Sequence, residues 1–290
     1  MTVKTVLIII LLYIVFQLIN ARKDHVMTGN IVGGFFSKIE SFPFAVYISK
    51  SCNIVRNSSC GASILNQVIL LTAAHCFKNC DPFTVNAYSG SIRKYSGFEN
   101  KVISYKKHED YYPTSHQNDI ALLRLETELV FGRAVKRIIL MKFPPNNTLA
   151  VVAGWGWIDS KGTRGDVLKH TPQLVLDRNE CAKQLGNTEV PIGMICGKDT
   201  DGDGYPEKGD SGSPLVINGN IQIGIVSFKR RVFTNHTIAY THVPYFYDWI
   251  VKNAKDLYCE YENRTLKVKQ VLAHIPRWPV EHCDLAKGVI

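Results

Sequence analysis

Short apolar or alternating runs follow one another along most of the chain, and Gly, Pro, Asn and Ser separate them. Runs of about 4–8 residues bounded by such turn-forming residues are typical of β-strands, and many in succession indicate a sandwich or barrel. The pattern therefore predicts an all-β fold. The predicted strands are Phe44–Ile48, Ala62–Leu65, Val68–Leu71, Ile120–Leu125, Leu149–Ala153, Leu215–Ile217, Ile221–Phe228 and Ile238–Val243.

One stretch near the end of the chain, Tyr245–Tyr258, has a different period. Its apolar residues recur at helical spacing and predict a helix. They are Phe246, Ile250, Ala254 and Leu257.

The first 21 residues stand apart from this pattern. Lys4 precedes an apolar run from Val6 to Phe16. The run is short for a membrane span and has the form of a secretory signal peptide ending near Ala21. We therefore expect a secreted protein with no membrane attachment once residues 1–21 are removed. The alternative is an N-terminal anchor.

A serine flanked by glycines is the strongest chemical signal. In Lys208–Pro214, Ser211 follows Gly209 and an acid, Asp210. A serine hydroxyl attacks a carbonyl only with a base to take its proton and donors for the oxyanion that forms. Gly209 can turn its amide outward, so the N–H groups of Gly209 and Ser211 suit the second need.

Two further stretches offer a base and a group to orient it. His75 ends the run Leu70–Cys76 beside a cysteine, and histidine titrates near neutrality as a general base requires. Asp119 opens an apolar strand, where burial would need a partner such as an imidazole N–H. The chain order His, Asp, Ser is that of chymotrypsin and not that of subtilisin or the α/β-hydrolases.

With these motifs the chain resembles the trypsin-like (chymotrypsin family, S1) serine peptidases. The matching pieces, in the family's order, are Ile31–Gly34, Thr72–Cys76, Asp119–Leu123, Gly154–Gly156, Gly209–Pro214 and Val243–Ile250. The resemblance implies two antiparallel Greek-key β-barrels with a C-terminal helix. It implies that His75 is the base, Asp119 its orienter and Ser211 the nucleophile. The expected division of the chain is a signal peptide (1–21), a propeptide (22–30), a peptidase domain (31–258) and a C-terminal extension (259–290).

Eight cysteines fit a secreted protein, because disulfides persist in oxidising compartments. Sequence alone leaves their connectivity open. The resemblance implies pairs Cys60–Cys76 and Cys181–Cys196. Cys52 with Cys80 is then expected, since both lie in loops flanking the first pair, and Cys259 and Cys283 remain to close the C-terminal tail. Glycosylation sequons also fit secretion and occur at Asn57, Asn146, Asn235 and Asn263.

The family is made as a zymogen, and cleavage before Ile31 would free an ammonium group to pair with Asp210. The residue before that bond is Asn30, whereas activators of this family usually cut after Arg or Lys. The sequence therefore predicts either an asparagine-directed activating peptidase or further trimming to Ile31.

The family reads the side chain before the scissile bond in a pocket that this chain has altered. The implied floor position is Tyr205, where trypsin has an aspartate. Usual glycine positions hold Lys229 and Ile238, and a usual cysteine position holds Glu207. These side chains are expected to fill or cap the pocket and to disfavour Arg and Lys. The full implied set of pocket residues is Tyr205, Lys208, Ser227, Phe228, Lys229 and Ile238.

Charge and loop composition predict no further ligand. The formal net charge of +9 is densest at Lys229–Arg231 and Lys106–Lys107, without interleaved aromatics, and these are interpreted as solvated faces and not a nucleic-acid site. The loop Asp199–Gly204 resembles the opening of a calcium loop but lacks its continuation. We expect no metal and no cofactor, and a protein or peptide substrate.

The sequence thus predicts a secreted serine endopeptidase with non-tryptic or restricted specificity. The alternative is a secreted, peptidase-like binding or regulatory protein with weak or no catalysis. The extension 259–290 is interpreted as a tail on the second barrel or as a partner-binding appendage.

Overall fold

The computed structural model describes residues 31–52, 58–78, 80–146, 148–159, 161–186, 189–200, 204–229 and 236–259. Several sequence predictions lie outside these ranges. They are the signal peptide (1–21), the propeptide (22–30), the extension beyond residue 259, Cys283, and the sequons at Asn57, Asn235 and Asn263.

Fourteen strands and two α-helices make up the described chain. The strands are β1 (Phe35–Phe36), β2 (Ala45–Lys50), β3 (Ser58–Ile64), β4 (Ile69–Thr72), β5 (Val85–Ser89), β6 (Phe98–Lys107), β7 (Ala121–Leu125), β8 (Ile139–Leu140), β9 (Leu149–Gly154), β10 (Lys169–Leu176), β11 (Met194–Asp199), β12 (Pro214–Ile217), β13 (Ile221–Lys229) and β14 (Ile238–His242). The helices are α1 (Arg178–Gln184) and α2 (247–259).

The strands form two closed antiparallel barrels of six strands each. The first barrel has the order β2-β3-β4-β7-β6-β5. The second runs β9-β10-β11-β14-β13-β12 and closes because β12 and β10 both pair with β9. Strand β1 adds to the edge of β10, and β8 runs parallel to β13. The prediction of two antiparallel barrels with a C-terminal helix is confirmed.

The apolar pattern explains most of the strands. In β4 and β7 every residue is buried, as expected for mostly apolar runs, and burial extends to the polar Thr72 and Arg124. Strand β5 alternates between buried and half-buried positions, which is the period of two of a strand with one face on the core. The first barrel therefore closes around a continuous core of aliphatic side chains.

Helix α2 begins two residues later than predicted and ends at residue 259. The four apolar residues whose spacing predicted it, Phe246, Ile250, Ala254 and Leu257, are all buried against the core of the first barrel. Neither described helix is long and apolar enough to cross a membrane.

Three disulfides have the expected pairings, two of them implied by the family resemblance and the third, Cys52–Cys80, expected from its position beside the first pair. They join Cys60 to Cys76, Cys181 to Cys196 and Cys52 to Cys80. Cys259 is also disulfide-bonded. The Cys60–Cys76 bond fixes strand β3 to the turn that follows β4.

The two barrels meet through close backbone contact and buried hydrogen bonds. The Gly61 amide donates to the Ser211 carbonyl oxygen at 2.7 Å, and the Ser63 hydroxyl donates to Gln222 Oε1 at 2.7 Å. A Cβ atom on Gly61 would lie 2.0 Å from Ser213 Oγ and 3.0 Å from Ser213 Cα. Only glycine allows the barrels to approach this closely.

We therefore expect Gly61→Ala to destabilise the protein by about 1–3 kcal/mol, the usual cost of overpacking a well-packed site. The matched control is Gly132→Ala, because a Cβ there would meet no atom within 4 Å. Urea denaturation of both variants measures the difference in the free energy of unfolding. Equal midpoints for the two variants would contradict the expectation.

Candidate active site

Asp119 lies just before β7 and is completely buried between the barrels. Its Oδ1 accepts a hydrogen bond from the His75 amide at 2.8 Å. Its Oδ2 accepts from the Ser227 hydroxyl of β13 at 2.5 Å. The carboxylate is thus held by groups from both barrels.

His75 lies in the short turn Ala74–Phe77 that follows β4, and its side chain is 22% exposed. Nδ1 of its ring is 2.7 Å from Asp119 Oδ2. Because an ionised carboxylate only accepts hydrogen bonds, Nδ1 carries the proton and donates it. The other ring nitrogen, Nε2, is then the one with a free lone pair.

The environment keeps Asp119 ionised. Burial alone would raise the pKa of its carboxyl group, but the positive potential of His75 and the polar groups of His116, His75 and Ser227 outweigh burial. Together they hold the pKa of Asp119 well below its usual range. A negative charge therefore faces the His75 ring at all physiological pH values.

Contacts with the first barrel hold Ser211 near the turn that carries His75. The Ser211 carbonyl oxygen accepts from the Gly61 amide, and the Cys76 sulfur lies 3.8 Å from the same oxygen. The next residue, Gly212, donates its amide to the Val226 carbonyl at 2.8 Å. Val226 and Ser227 are consecutive residues of β13. This strand therefore bonds to the Ser211 segment through Val226 and to Asp119 through Ser227.

The amides around Ser211 are arranged as donors. Gly209 has φ of +101°, a conformation that glycine adopts freely. Within the described part of the chain, the backbone hydrogen bonds of this turn use the amides of Asp210, Gly212 and Ser213 and leave those of Gly209 and Ser211 without a protein acceptor.

Asp210 and Ile31 are both fully buried. Asp210 accepts hydrogen bonds from the Gly156 amide at 2.7 Å and the Glu207 amide at 3.0 Å. Burial nevertheless raises the pKa of Asp210 to about 7, and these backbone donors and Lys94 offset only part of that effect. The Asp210 carboxylate therefore lacks full compensation for its charge.

A cavity of about 210 Å³ opens beside Ser211. Five of the six residues that the sequence assigned to the pocket line it, namely Lys208, Ser227, Phe228, Lys229 and Ile238. Tyr205, expected as the floor, is not among the lining residues, which differs from the prediction. Its ring stacks on His236 at 3.9 Å between centroids and lies beneath Lys229.

An ion pair spans the wall of this cavity. Lys229 Nζ is 3.4 Å from Glu207 Oε2 and 3.5 Å from the centre of the Tyr205 ring. Both charged side chains are about four-fifths buried. These side chains narrow the cavity but leave about 210 Å³ open, whereas the sequence predicted that large side chains would fill or cap the pocket.

His116 belongs to this site and was not predicted from the sequence. Its Nδ1 lies 3.7 Å from Asp119 Oδ2, and its ring lies edge-on to His75 with centroids 5.5 Å apart. The position three residues before Asp119 is the only sequence signal. The loop that brings the two residues together has left-handed backbone conformations at His116 and Asn118, with φ of 55° and 54°, which the sequence pattern does not encode.

Comparison with known proteins agrees with this geometry. The Trypsin family model matches residues 31–250. Trypsin alpha-4 of Lucilia cuprina is 32% identical over 236 residues, which are 80% of this chain and 90% of that protein. Hypodermin-B of Hypoderma lineatum is 35% identical over 236 residues, 79% of this chain and 89% of that protein.

Solved structures show the same architecture. The 1.7 Å structure of HL collagenase matches with a TM-score of 0.69 and 29% identity, covering 77% of this chain and 98% of the other. The scabies mite inactivated protease paralogue S-D1 shares the fold, with a TM-score of 0.67, 23% identity and coverage of 84% and 97%. From the family match and the identity to its members, the chain belongs to the trypsin family of serine proteases.

Proposed function

We propose that this chain is a secreted serine endopeptidase in which Ser211, His75 and Asp119 carry out peptide hydrolysis. The observation that carries the proposal is the 2.7 Å contact between His75 Nδ1 and the buried Asp119 carboxylate. Ser211 lies close to the same turn, since its carbonyl oxygen is 3.8 Å from the Cys76 sulfur. The contact between His75 and Asp119 leaves the free lone pair on Nε2, which a general base for serine requires.

The reaction runs through an acyl-enzyme. His75 Nε2 takes the hydroxyl proton of Ser211 while the serine oxygen bonds to the scissile carbonyl carbon, and the carbonyl electron pair moves onto its oxygen. When the tetrahedral intermediate collapses, the C–N bond breaks and His75 returns the proton to the leaving amine. Water then repeats both steps and releases the acid product from Ser211.

Asp119 stabilises the histidine when it is protonated. The imidazolium that forms faces an ionised carboxylate at 2.7 Å, and its Nδ1–H bond keeps the ring in one orientation. The Ser227 hydroxyl bonded to the same carboxylate oxygen holds that oxygen in place. Asp119 and Ser227 thus position the base, and only His75 moves protons.

The amides of Gly209 and Ser211 are proposed as the oxyanion hole. Donors already oriented toward the developing charge need no reorganisation during the reaction, which makes this kind of stabilisation large. The positive φ of Gly209 supports the proposal, because a side chain at that position would be strained and would meet Gly156 Cα at 3.0 Å.

Activation is proposed to require cleavage before Ile31. A new ammonium group at Ile31 would compensate the buried Asp210 carboxylate, whose raised pKa of about 7 marks an uncompensated charge. Ile31 is itself fully buried, and the adjacent Val32 pairs with Tyr205. Asn30 before the bond supports an asparagine-directed activating peptidase or trimming to Ile31.

The cavity beside Ser211 is proposed to bind the substrate side chain before the scissile bond. At about 210 Å³ it is below the roughly 300 Å³ at which small-molecule pockets begin. Glu207 is the one acidic group among its lining residues, and Lys229 already pairs with it. A substrate Arg or Lys would therefore meet a neutralised carboxylate, so we propose a preference for small side chains.

The three disulfides of the described chain support the proposal of secretion, because such bonds persist outside the reducing cytosol. Asn146 is exposed, so it is accessible as a glycosylation acceptor on that route.

We expect Ser211→Ala to lower kcat by a factor on the order of 10⁶ and Asp119→Asn by about 10⁴, the losses seen when chymotrypsin-type and subtilisin triads are altered. Labelling by an organofluorophosphonate probe reports on Ser211 without a known substrate. The probe should label the activated chain and not the Ser211→Ala variant. Activated, folded protein that takes up no label would refute the peptidase proposal.

The proposed pairing of the Ile31 ammonium group with Asp210 predicts how the stability of the chain depends on pH. Between about pH 4 and 7 the folded full-length chain binds the Asp210 proton more tightly than the unfolded chain, so its free energy of unfolding should fall as pH rises. The Asp210→Asn variant should lack this component of the slope, and so should chain cleaved before Ile31. Denaturation across this range, with N-terminal sequencing of the cleaved form, measures both. Parallel pH profiles for the two full-length proteins would contradict the assignment.

Specificity is tested with chromogenic peptides and two variants of one residue. The activated parent should turn over peptides with small residues before the scissile bond and cleave poorly after Arg. Lys229→Gly removes the cation that neutralises Glu207 and should raise kcat/KM for the Arg peptide by about 10-fold, equivalent to about 1.4 kcal/mol. Lys229→Met, which keeps the bulk, should raise it less. Efficient cleavage after Arg by the parent would overturn the proposed pocket chemistry.

A further inference from the structure

His116 transfers no proton in the proposed reaction, although its imidazole lies beside Asp119 and helps to keep that carboxylate ionised. It is held in the loop between β6 and β7, where Tyr112 pairs with Gln117 and the Asn118 side chain donates to the Asp110 carbonyl. Its ring stacks on Phe228 with centroids 5.1 Å apart. The side chain therefore has a defined place between His75 and the wall of the substrate cavity.

The Nδ1 atom of His116 is buried and makes no hydrogen bond to any residue that the structure describes. A buried polar atom without a hydrogen bond is costly, and in a native protein it calls for an explanation such as a bound ion. Asp119 Oδ2 lies 3.7 Å away, too far for a hydrogen bond but on the same side.

The ligand atoms around this position fit a metal ion. One nitrogen of each imidazole, His75 and His116, and one carboxylate oxygen of Asp119 lie within 4.8 Å of one another. Zinc bonds of about 2.0–2.2 Å at tetrahedral angles would place such atoms about 3.3–3.6 Å apart. Binding would therefore require the side chains to rotate from these positions, with zinc replacing hydrogen bonds that Asp119 now accepts.

The donor set selects the kind of ion. Two imidazoles and one carboxylate are a ligand set of zinc sites that keep a fourth position for water, whereas calcium and magnesium prefer oxygen ligands alone. The side chains of His75 and His116 are 22% and 31% exposed, which gives an ion a path from the cleft. The neighbouring group Cys60, His75 and Cys76 is not a rival, because both sulfurs are held in a disulfide.

We propose that His75, His116 and Asp119 bind Zn²⁺, and that the ion reversibly inhibits the peptidase. From the sequence we expected no metal, and His116, which completes this site, stands in no recognisable metal-binding motif. The proposal that zinc inhibits hydrolysis rests on the proposed function, whereas the proposal that zinc binds does not.

Inhibition follows from the chemistry of the His75 ring. A neutral imidazole has one N–H group and one lone pair. When zinc takes the lone pair at either nitrogen, the proton occupies the other nitrogen, and no acceptor remains for the Ser211 hydroxyl. The ion also occupies Asp119, which would otherwise orient the base.

Binding is tested by calorimetric titration of ZnCl₂ into the full chain carrying Ser211→Ala, which separates binding from activity. We expect one site whose affinity falls at least about 10-fold in His116→Leu, since even the loss of an outer partner of a zinc ligand costs that much. The matched control is His108→Gln, because His108 lies in the same loop but stacks on Trp249 at 5.0 Å. Thermal unfolding checks that each variant folds, and His116→Gln replaces the leucine variant if needed.

Equal zinc affinity with and without His116, or no binding at all, would overturn the site. Inhibition is measured separately on the activated enzyme, with a small-residue peptide as substrate. Zinc should inhibit, a chelator should restore activity, and the inhibitory zinc concentration should rise at least about 10-fold in His116→Leu. Binding that depends on His116 but leaves hydrolysis unchanged would refute the inhibitory role. An inactive chain would refute the proposed function and leave the binding result to decide the site.

Discussion

A buried carboxylate at the junction of the two barrels is the constraint on which the rest of the site depends. Asp119 is fully enclosed, and an ionised group in that place is tolerated only when hydrogen bonds and a partner charge compensate it. The first barrel supplies His75 through its amide and ring, and the second supplies the Ser227 hydroxyl. Correct docking of the barrels and an ordered His75 are therefore one requirement and not two.

Local sequence patterns made many of the strands predictable. Strands such as β4 and β7 consist mostly of consecutive apolar residues, so the hydrophobic pattern alone locates them. Strand β10 escaped prediction because its core-facing positions are polar: Lys169, Thr171 and Gln173 are almost completely buried. Gln173 is satisfied by the Gly204 carbonyl and the Tyr240 hydroxyl, which are distant in sequence. A pattern of apolar residues cannot reveal a strand whose inward groups are polar and paired.

The proposed catalytic residues and the pocket residues differ in the same way, because the former stand in local motifs and the latter depend on contacts between distant segments. His75, Asp119 and Ser211 stand in short motifs whose chemistry can be read residue by residue. The contacts of Tyr205 depend on His236 and Lys229, which come from other segments, so the sequence could place the ring near the cavity but not behind its wall. His116 is the extreme case, since it reaches Asp119 through a loop with left-handed backbone at His116 and Asn118, which no sequence motif marks.

The contact between Gly61 and the Ser211–Ser213 segment has a consequence for how this enzyme could change over time. The proposed base, His75, is carried by one barrel and the proposed nucleophile, Ser211, by the other, so their separation depends on how the two barrels pack together. A displacement of about 1 Å between reacting groups can cost 10²-fold in rate. Substitutions along this seam would therefore change the rate of the proposed reaction while leaving His75, Asp119 and Ser211 in place, so activity could be lost over generations without a change in any of these three residues.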